Sequence, residues 1–401
     1  MILRTRDIIE QIRQGEIPKG YIRTVSGISP TDWKPYTFGD IYTERKEPGS
    51  EELPLLMVSI HSGVSDGEVD EEELPKKVKR IEDKSQYKKA VSGDLVFNMM
   101  RAWQGAIGTV RTTGMVSPAY IVAKPNDKVY PLFMDYYTRT PQMINQINRQ
   151  SYGVTDFRKR LYWDSFAPIG CILPPIEEQR KIVAILTIQD KVIELKEKRL
   201  VEKQRQKKYL MQQLLTGKKR LPGFIKSWTT VELGEIFNYI QPTAYLVKTT
   251  DYDDSYKTPV LTAGKTFILG YTNETEGVFT KVPVVIFDDF TTATKYVDFP
   301  FKVKSSAMKI LTIKDGFSIV FAYEAMQLIK FTVGGHERHW ISKYSCLTID
   351  IPDMEEQIAI AEVLSAADRE IELLRQDIEQ EKQKKKALMQ LLLTGIVRVE
   401  V

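Results

Sequence analysis

The 401-residue sequence predicts an α+β protein in which two mixed α/β regions alternate with two long helices. Two observations predict this architecture: residues 174–220 recur in register as residues 352–398, and short β-like runs precede each copy. Equivalent helices that pair through equivalent faces are related by a pseudo-twofold axis, and an axis perpendicular to them makes them antiparallel. We therefore predict an antiparallel coiled coil inside a circularly arranged, pseudo-twofold repeat.

The two helical copies carry the same boundary signals. Each follows a proline, opens with Glu-Glu-Gln, which puts negative charge at the positive end of the helix dipole, and closes with Leu-Leu-Thr-Gly. Gly217 and Gly395 stand where a left-handed C-terminal cap is expected. At ~1.5 Å per residue, each helix spans about 60 Å.

Apolar residues form a thin stripe along each helix, at close to a seven-residue period. So thin a stripe excludes a core helix of a wide domain and favours another helix as the partner. An ordinary solvated hairpin or a dimerisation coiled coil is the alternative interpretation. The lysine pairs 207–208 and 385–386 are predicted to be solvated. The stripe contains Ile182, Leu186, Ile193, Leu200, Leu210 and Leu214 in the first copy and Ile360, Leu364, Ile371, Ile378, Leu388 and Leu392 in the second.

Each globular region begins at a tryptophan, Trp33 or Trp228, followed at the same spacing by glycine and isoleucine. Runs rich in Val, Ile, Thr, Tyr and Phe predict strands at residues 55–60, 95–98, 118–123, 282–287, 308–313 and 345–349. Helices are predicted at residues 6–14 and 132–148. Trp33, Trp163 and Trp228 are assigned to cores.

These boundaries divide the chain into five segments. Residues 1–32 form an N-terminal helix and loop that pack near the end of the second long helix. The others are a first domain (33–173), the first long helix (174–220), a second domain (221–351), and the second long helix with its tail (352–401). The domains differ while the helices agree, which is the pattern of two recognition surfaces on a common spacer; a protein ligand with two epitopes is the alternative.

Composition allows several functions and favours one compartment. A formal charge of +4 is compatible with nucleic-acid binding without requiring it. Cys171 and Cys346 are interpreted as small core residues in a reducing compartment. No apolar run suggests a signal peptide or a membrane span, so we expect a soluble, cytoplasmic protein.

Several short motifs resemble those of a known family. The Pro-x-x-Glu-Glu-Gln and Leu-Leu-Thr-Gly helix ends, together with residues 94–105 (DLVFNMMRAWQG) and 114–120 (GMVSPAY), closely resemble the specificity subunit of type I restriction-modification systems. The resemblance covers essentially the whole chain. In the second region Ile-Phe-Asp-Asp-Phe, residues 286–290, stands in place of the Asn-Met-Met-Arg run, as expected if this domain recognises different bases.

The resemblance implies a division of labour. Each globular region would be a target recognition domain that reads one half of a gapped, bipartite target in double-stranded DNA, and the helix pair would set the gap. The helices would also dock two methyltransferase subunits, which carry S-adenosylmethionine and modify adenine, and restriction (motor endonuclease) subunits would join them. This chain would have no cofactor and no catalytic residue of its own.

The residues themselves agree with the absence of catalysis. The sequence has no Asn/Asp-Pro-Pro-Tyr/Phe motif, no phosphate-binding glycine loop and no Walker lysine. The Glu-Asp-Lys run at residues 82–84 is interpreted as a solvated charged loop, and three histidines are too few and too poorly spaced for zinc.

Candidate DNA contacts follow from side-chain chemistry. Arg101 and Gln104 can pair bidentately with guanine and adenine edges. Cationic and aromatic stretches suit phosphates, although for any one residue a plain surface or core role is the more frequent outcome. In the first region the candidates are Asn98, Arg101, Trp103, Gln104, Ser151, Tyr152, Arg158, Lys159 and Arg160. In the second they are Thr291, Thr292, Thr294, Lys295, Tyr296, His336, Arg338, His339 and Lys343.

Two other classes of function remain open at this stage. A scaffold that holds two protein-binding modules on a coiled coil predicts no salt-dependent affinity for DNA. An enzyme would need a cluster of titratable residues in one domain, which the sequence does not suggest.

Overall fold

The computed structural model describes residues 5–24, 27–60, 63–65, 83–153, 159–262, 266–331 and 339–399. The chain forms two compact units. Unit 1 comprises Met1–Leu195 and Ile378–Val401, and unit 2 comprises Lys196–Asp377. In the described ranges no helix is both long and apolar enough to cross a membrane.

The elements of unit 1 combine short helices with short strands and end in the first long helix, which continues into unit 2. In chain order they are α1 (Thr5–Arg13), β1 (Tyr21–Thr24), β2 (Gly27–Pro30), β3 (Lys34–Thr37), α2 (Phe38–Ile41), β4 (Tyr42–Glu44), β5 (Val58–Ser59), β6 (Gly63–Val64), β7 (Lys88–Ala90), β8 (Leu95–Asn98), β9 (Ile107–Thr109), β10 (Gly114–Val116), β11 (Tyr120–Pro125), α3 (Pro131–Tyr137), α4 (Pro141–Gln150), α5 (Trp163–Phe166), β12 (Gly170–Leu173) and α6 (Ile176–Leu214).

The elements of unit 2 follow a similar plan and end in the second long helix, whose last part belongs to unit 1. They are β13 (Thr229–Glu232), α7 (Leu233–Ile236), β14 (Phe237–Ile240), β15 (Thr258–Leu261), β16 (Ile268–Thr272), β17 (Val284–Asp288), β18 (Thr294–Val297), β19 (Lys302–Val303), β20 (Met308–Ile313), α8 (Ile319–Met326), α9 (His339–Ser342), β21 (Thr348–Ile351) and α10 (Met354–Leu393).

Each unit contains a four-stranded antiparallel sheet of the same topology. The strand order is β4-β11-β8-β9 in unit 1 and β14-β20-β17-β18 in unit 2. In both sheets the strand that is last in the chain pairs with the first and the second. A two-stranded ladder next to the long helices, β3 with β12 or β13 with β21, is also common to both.

The central strands are buried on both faces, which explains their continuous apolar runs. In β8, Leu95 and Phe97 face the core that contains α3 and α4, whereas Val96 faces a second cluster. In β17, Val285 and Phe287 face the core that contains α8, whereas Ile286 faces another cluster. This alternation is the period of two that a pleated strand imposes.

The ends of the long helices are parts of the domain cores. In unit 1, Ile182 and Leu186 at the start of α6 join Leu392 at the end of α10 in one cluster with the sheet. In unit 2, Leu214 ends α6 and joins Ile360 of α10 in the same way. Our expectation that the thin stripe faces a helix alone was therefore wrong at the helix ends, where residues such as Val183 widen the buried face.

The predicted stripe positions lie inside the structure as a group. In the described part of the chain nine of the twelve are less than a tenth exposed, and Leu200, Leu210 and Leu388 are half-buried. Contacts inside each unit show that the helices are antiparallel. In unit 1 Asp190 pairs with Lys385, and in unit 2 Lys196, Lys203 and Lys207 pair in turn with residues 377, 370 and 368.

A buried carboxylate holds three chain segments of unit 1 together. Glu178 is fully buried and accepts hydrogen bonds from Trp33 Nε1 at 3.2 Å and from the Arg398 guanidinium at 2.8 and 2.9 Å. Arg398 also donates to Asp32 at 2.7 and 2.9 Å, and its hydrogen bonds to Glu178 and Asp32 raise its pKa. The carboxylate thus joins the first long helix to the domain start and to the tail after the second long helix.

Unit 2 contains the same arrangement. Glu356 is 1% exposed and accepts hydrogen bonds from Trp228 Nε1 at 3.1 Å and from Arg220 at 2.6 and 2.5 Å. We call these two arrangements the carboxylate anchors: Trp33, Glu178 and Arg398 in unit 1, and Trp228, Glu356 and Arg220 in unit 2. They confirm the equivalence of the two tryptophans that the sequence spacing predicted.

Part of the N-terminal segment packs against the end of α10. Tyr21 donates a hydrogen bond from its hydroxyl to the Gly395 carbonyl at 3.0 Å. Gly395 has φ +73°, and a Cβ there would lie 2.6 Å from Pro30 and 3.0 Å from the Trp33 ring. The glycine is therefore required both by the left-handed cap and by the close approach of this segment.

Several predicted elements need correction. The helix expected at residues 132–148 is two helices, because Thr140 caps the second and Pro141 lacks the N–H that an uninterrupted helix requires. The strand expected at 55–60 contains only Val58–Ser59, and the one at 345–349 begins at Thr348 because a 3₁₀ turn, Tyr344–Cys346, precedes it. That turn leaves Cys346 exposed, contrary to prediction.

Of the remaining sequence predictions, some are confirmed and others are wrong. Cys171 is buried as predicted, and burial raises the pKa of its thiol to about 12. The predicted solvation of the lysine pairs is wrong for Lys207 and Lys385, which pair with Asp368 and Asp190 of the other long helix; Lys208 is exposed. The five segment boundaries stay predictions.

We expect Glu178→Gln and Glu356→Gln each to lower the free energy of unfolding by about 2–3 kcal/mol, because each replaces a buried carboxylate with a neutral amide that cannot accept both hydrogen bonds of the facing guanidinium. Glu177→Gln is the matched control, since that neighbouring side chain is 63% exposed. Denaturant unfolding measures the free energy of unfolding of the variants and of the control. Equal stability of the Glu178 and Glu177 variants would show that the anchor contributes nothing.

Gly217 and Gly395 provide a second comparison, because both have positive φ but differ in their surroundings. A Cβ at Gly217 would meet the Trp228 ring at an ordinary 3.6 Å. We therefore expect Gly217→Ala to cost about 1 kcal/mol of unfolding free energy from backbone strain alone. Gly395→Ala should cost at least about 1 kcal/mol more because Pro30 must move. Equal costs would contradict the packing described here.

Candidate nucleic-acid interface

The loop after β8 presents polar and apolar side chains at one edge of the unit 1 sheet. Asn98 ends the strand, and its Oδ1 accepts a hydrogen bond from Met100 N at 2.9 Å. A 3₁₀ turn, Ala102–Gln104, follows and ends at Gly105 with φ +103°. This local chemistry leaves Arg101 and Gln104 exposed.

Trp103 packs beneath this loop and supports it, so it is not an exposed residue that could contact DNA. It is half-buried against the domain core, and its Nε1 donates to the Met100 carbonyl at 3.0 Å. Lys159 lies over the Trp103 ring with Nζ 5.3 Å from the centroid, and Nζ also donates to Asn148 Oδ1 at 3.1 Å. The lysine therefore joins the loop to a second segment of the chain.

That second segment runs beside the loop. Tyr152 and Arg160 exchange backbone hydrogen bonds at 3.1 and 2.9 Å, and Leu161 N donates to the Met99 carbonyl at 2.8 Å. The Tyr152 ring is 57% exposed and lies 5.8 Å from the ring of Tyr162. Ser151 is buried, with its hydroxyl bonded to the end of α4, which leaves it no access to a ligand.

The structure thus brings most of the predicted first-region residues together. We call the exposed ones, together with the exposed Met100 of the same loop, the unit 1 loop patch. Its residues are Met100, Arg101, Gln104, Tyr152 and Arg160. Arg158, which the sequence also suggested, lies outside the described residues. Two guanidinium groups, an amide, a phenol ring and a thioether on one surface suit phosphate contact, base-edge hydrogen bonding and stacking.

The corresponding loop of unit 2 follows β17 and is a tight turn. Asp288 N donates to the Ala293 carbonyl, and Asp288 O accepts from Thr292 N, at 2.9 and 2.8 Å. Asp288 Oδ1 accepts from Phe290 N at 3.2 Å, and the other carboxylate oxygen accepts from the Thr291 hydroxyl. Thr292 has φ +60°, a conformation that a β-branched residue rarely adopts unless its surroundings require it.

The two loops have the same backbone design despite different sequences. The side chain at the strand end, Asn98 or Asp288, accepts a hydrogen bond from the N–H two residues on. In each unit the next residue makes two backbone hydrogen bonds. Through its N–H, Met99 donates to the residue 119 carbonyl at 3.0 Å and Asp289 donates to the residue 307 carbonyl at 3.1 Å. The Met99 carbonyl accepts a hydrogen bond from Leu161 N in unit 1, and the Asp289 carbonyl accepts one from residue 339 N at 3.2 Å in unit 2.

This equivalence corrects the interpretation of His339 as a DNA contact. His339 occupies the place of Leu161 and is 0% exposed, with its ring 5.5 Å from that of Phe331. Burial leaves its ring no access to a ligand. His336 and Arg338 lie outside the described residues, and Lys343 is exposed.

The other unit 2 candidates lie along β18 and beside α8. Lys295 is exposed, whereas Thr294 is half-buried and its hydroxyl accepts a hydrogen bond from Gln327 Nε2 at 2.7 Å. Tyr296 packs against Tyr323 with ring centroids 5.9 Å apart, and burial raises the pKa of its hydroxyl. Thr291 and Lys295 are therefore the exposed residues of this set, and Thr292 is half-buried.

Unit 2 also contains a cluster of charged side chains contributed by α6, α8 and α10. Lys207 Nζ is 3.0 Å from Glu324 and 2.6 Å from Asp368. Burial raises the pKa of Glu324, while the Lys207 ammonium opposes that shift. Burial lowers the pKa of Lys207, but the Asp368 and Glu324 carboxylates outweigh it and raise the pKa overall. The cluster joins the two long helices to α8, so its role is structural.

Sequence reasoning missed Met100 and Phe290. They are equivalent positions at the two loop tips and are 43% and 45% exposed. The signal was available in the alignment of Asn-Met-Met with Asp-Asp-Phe, because the third residue is large and apolar in both. In the described ranges no group of three or more His, Cys, Asp or Glu residues is placed to hold a metal ion.

Comparison with known proteins agrees with this architecture. Residues 225–383 match the family model described as "Type I restriction modification DNA specificity domain". The chain is 51% identical over 161 residues to the EcoR124I/EcoR124II specificity subunit of Escherichia coli, a stretch that covers 38% of this chain and 39% of that relative. It is 26% identical over 326 residues to a putative type I restriction enzyme specificity subunit, MjaX, of Methanocaldococcus jannaschii, covering 70% and 71% of the two chains.

Solved structures share the fold across nearly the whole chain. The S subunit of a type I restriction-modification system from M. genitalium has a TM-score of 0.60 at 12% identity and matches 92% of this chain and 96% of its own. A chain from a study of the assembly and conformational transition of a type I system has a TM-score of 0.55 at 18% identity, with 92% and 99% covered. The chain is therefore similar to type I restriction-modification specificity subunits, through a domain match over residues 225–383 and through relatives that each match part of its length.

Proposed function

We propose that this chain is the DNA sequence-specificity subunit of a type I restriction-modification complex. Each unit reads one half of a bipartite target in double-stranded DNA, and the paired helices set the gap between the halves. The observation that carries the proposal is the duplication itself. Two units share sheet topology, loop backbone and carboxylate anchor, yet differ in the side chains that their loops expose.

The exposed side chains divide by chemistry into base-reading and backbone-binding groups. Arg101 and Gln104 have the forked donors and the amide that recognise guanine and adenine edges in the major groove. Tyr152, Lys159 and Arg160 supply donors and charge for phosphates beside them. Unit 2 has no residues of the same type at the positions of Asn98, Arg101 and Gln104. Its exposed polar side chains include Thr291, Lys295 and Lys343.

The helix pair is the proposed docking site for two methyltransferase subunits, one for each equivalent half. Those subunits would bind S-adenosylmethionine and modify adenine, and restriction subunits would complete the assembly. This chain contributes specificity and no catalytic group. The duplication supports two equivalent partner sites, because equivalent surfaces bind equivalent partners.

The direct test is a map of methylated adenines in genomic DNA of the host, with and without this gene. We expect a two-part motif with a fixed gap to lose its methylation when the gene is deleted. If the map does not change, salt-dependent binding of duplex DNA by the reconstituted complex is measured next. A complex that assembles but shows no salt-dependent DNA affinity supports a protein scaffold instead.

Arg101→Ala should relax specificity in one half of the target only. A lost bidentate contact costs about 1–3 kcal/mol of discrimination at the bases concerned and leaves the other half unchanged. The measurement is the affinity of the reconstituted complex for duplexes with single base changes in either half, with Arg13→Ala as the control at an exposed arginine of the same unit. Unchanged discrimination in both halves would remove Arg101 from the set of base-reading residues.

Arg160→Ala should behave differently, because a phosphate contact has no sequence preference. We expect binding to weaken about equally for all duplexes, and the slope of log K against log salt to fall by about one. The same titrations at several salt concentrations measure it. A loss confined to particular bases would assign Arg160 to base recognition instead.

A further inference from the structure

We propose that Met100 and Phe290 are apolar wedges, each of which inserts its side chain into a base step of the half-site that its unit reads. The proposal rests on the DNA-binding function above and deepens it by naming a pair of residues that deform DNA. It assigns part of the specificity to the energy of unstacking a particular step, in addition to hydrogen bonds with base edges.

The unit 1 wedge is held rigidly at its backbone. Met100 N donates to Asn98 Oδ1 at 2.9 Å, and the Met100 carbonyl accepts from Trp103 Nε1 at 3.0 Å. The preceding residue, Met99, is held through both its N–H and its carbonyl. A thioether side chain that is 43% exposed therefore projects from a backbone with little freedom to withdraw it.

The unit 2 wedge is held by a different set of atoms to the same effect. Phe290 N donates to Asp288 Oδ1, and the turn is closed behind it by the hydrogen bonds between Asp288 and residues 291–293. Asp289, just before it, is 1% exposed and accepts from Trp340 N at 2.9 Å. The strained Thr292, with φ +60°, belongs to this turn, and strain of this kind persists where the fold over-determines a conformation.

Isolated exposed apolar residues are ordinary on protein surfaces, so exposure alone decides nothing. Here the same feature occurs twice at equivalent positions, on two loops whose other side chains have diverged. The residue before each wedge changed from methionine to a buried aspartate, whereas the wedge stayed large, apolar and exposed. Shared exposure with diverged neighbours favours a common function over chance.

The surroundings favour a base step as the partner. Arg101 and Gln104 follow Met100 in the chain, and Thr291 and Thr292 follow Phe290, so each apolar tip is close in sequence to groups that suit DNA. Side chains of methionine and phenylalanine are of the type that proteins insert between stacked bases. A rigid loop lowers the entropy lost on insertion, since the side chain is already in position.

The experiment uses the chain reconstituted with its methyltransferase subunits and duplexes that contain the target found by methylation mapping. 2-Aminopurine replaces one base at a time across both halves, away from the adenines that are methylated, and its fluorescence reports unstacking. We expect the wild-type complex to raise the fluorescence at one step in each half. Met100→Ala should abolish the rise in the first half only, and Phe290→Ala in the second half only.

Conservative variants and matched controls make the test specific. Met100→Leu and Phe290→Leu keep an apolar wedge and should retain most of the signal. Ile22→Ala and Leu269→Ala remove side chains that are 45% and 43% exposed in the same two units and should change nothing. We expect the wedge-to-alanine variants to bind the target about 5- to 150-fold more weakly, the range that loss of one stacking contact gives.

Two results would overturn the proposal, and both differ from failure of the proposed function. If the complex binds its target tightly and the alanine variants keep the wild-type fluorescence, the side chains do not unstack a base step. If the alanine variants fail to assemble with the methyltransferase subunits in the absence of DNA, the tips contact protein. A wild-type complex with no salt-dependent affinity for DNA refutes the proposed function itself.

Discussion

The buried carboxylates Glu178 and Glu356 are the constraint on which the rest of the structure depends. A buried charge is costly unless it is paired and hydrogen-bonded, and each of these carboxylates is satisfied by a tryptophan and an arginine from segments far away in the chain. Each unit can therefore form its core only when a domain start, the beginning of one long helix and the tail of the other are present together. That requirement explains why the repeat is circular: in each unit the beginning of one long helix pairs with the end of the other.

The carboxylate anchors also explain which residues the two units share and which differ between them. The helix ends, the tryptophans and the glycine caps are shared by both units because each takes part in the same buried arrangement. The loops after β8 and β17 share only the hydrogen bonds that hold their backbones, including one to the side chain of Asn98 or Asp288. A fixed backbone with variable side chains is a suitable basis for recognising two different half-sites, because a change of base preference then needs no change of fold.

The sequence predicted those parts of the fold that depend on neighbouring residues or that occur twice in the chain. The helix ends followed from Glu-Glu-Gln and Gly395, and β8 and β20 were predicted at their observed bounds because apolar runs of that length are typical of buried strands. Side chains whose environment is decided by distant segments were mispredicted. Lys207 was expected in solvent but meets Glu324 of α8, and His339 was taken for a ligand contact because nothing nearby in sequence shows that it takes the place of Leu161. Aligning the two loops shows a large apolar residue at the positions of Met100 and Phe290, but only the matched turns of the structure show that both are exposed.

The most direct test of the whole account is a chimera in which residues 228–351 replace residues 33–173, so that both units contain the second domain. Both domains begin at an anchor tryptophan and end just before a long helix, so the carboxylate anchor and the helix pair are kept. We expect genomic methylation in a host that expresses this chimera to shift to a target made of two copies of the second half-site with a defined gap. A folded, assembled chimera that still directs methylation to the original two-part target would contradict the assignment of one half-site to each unit.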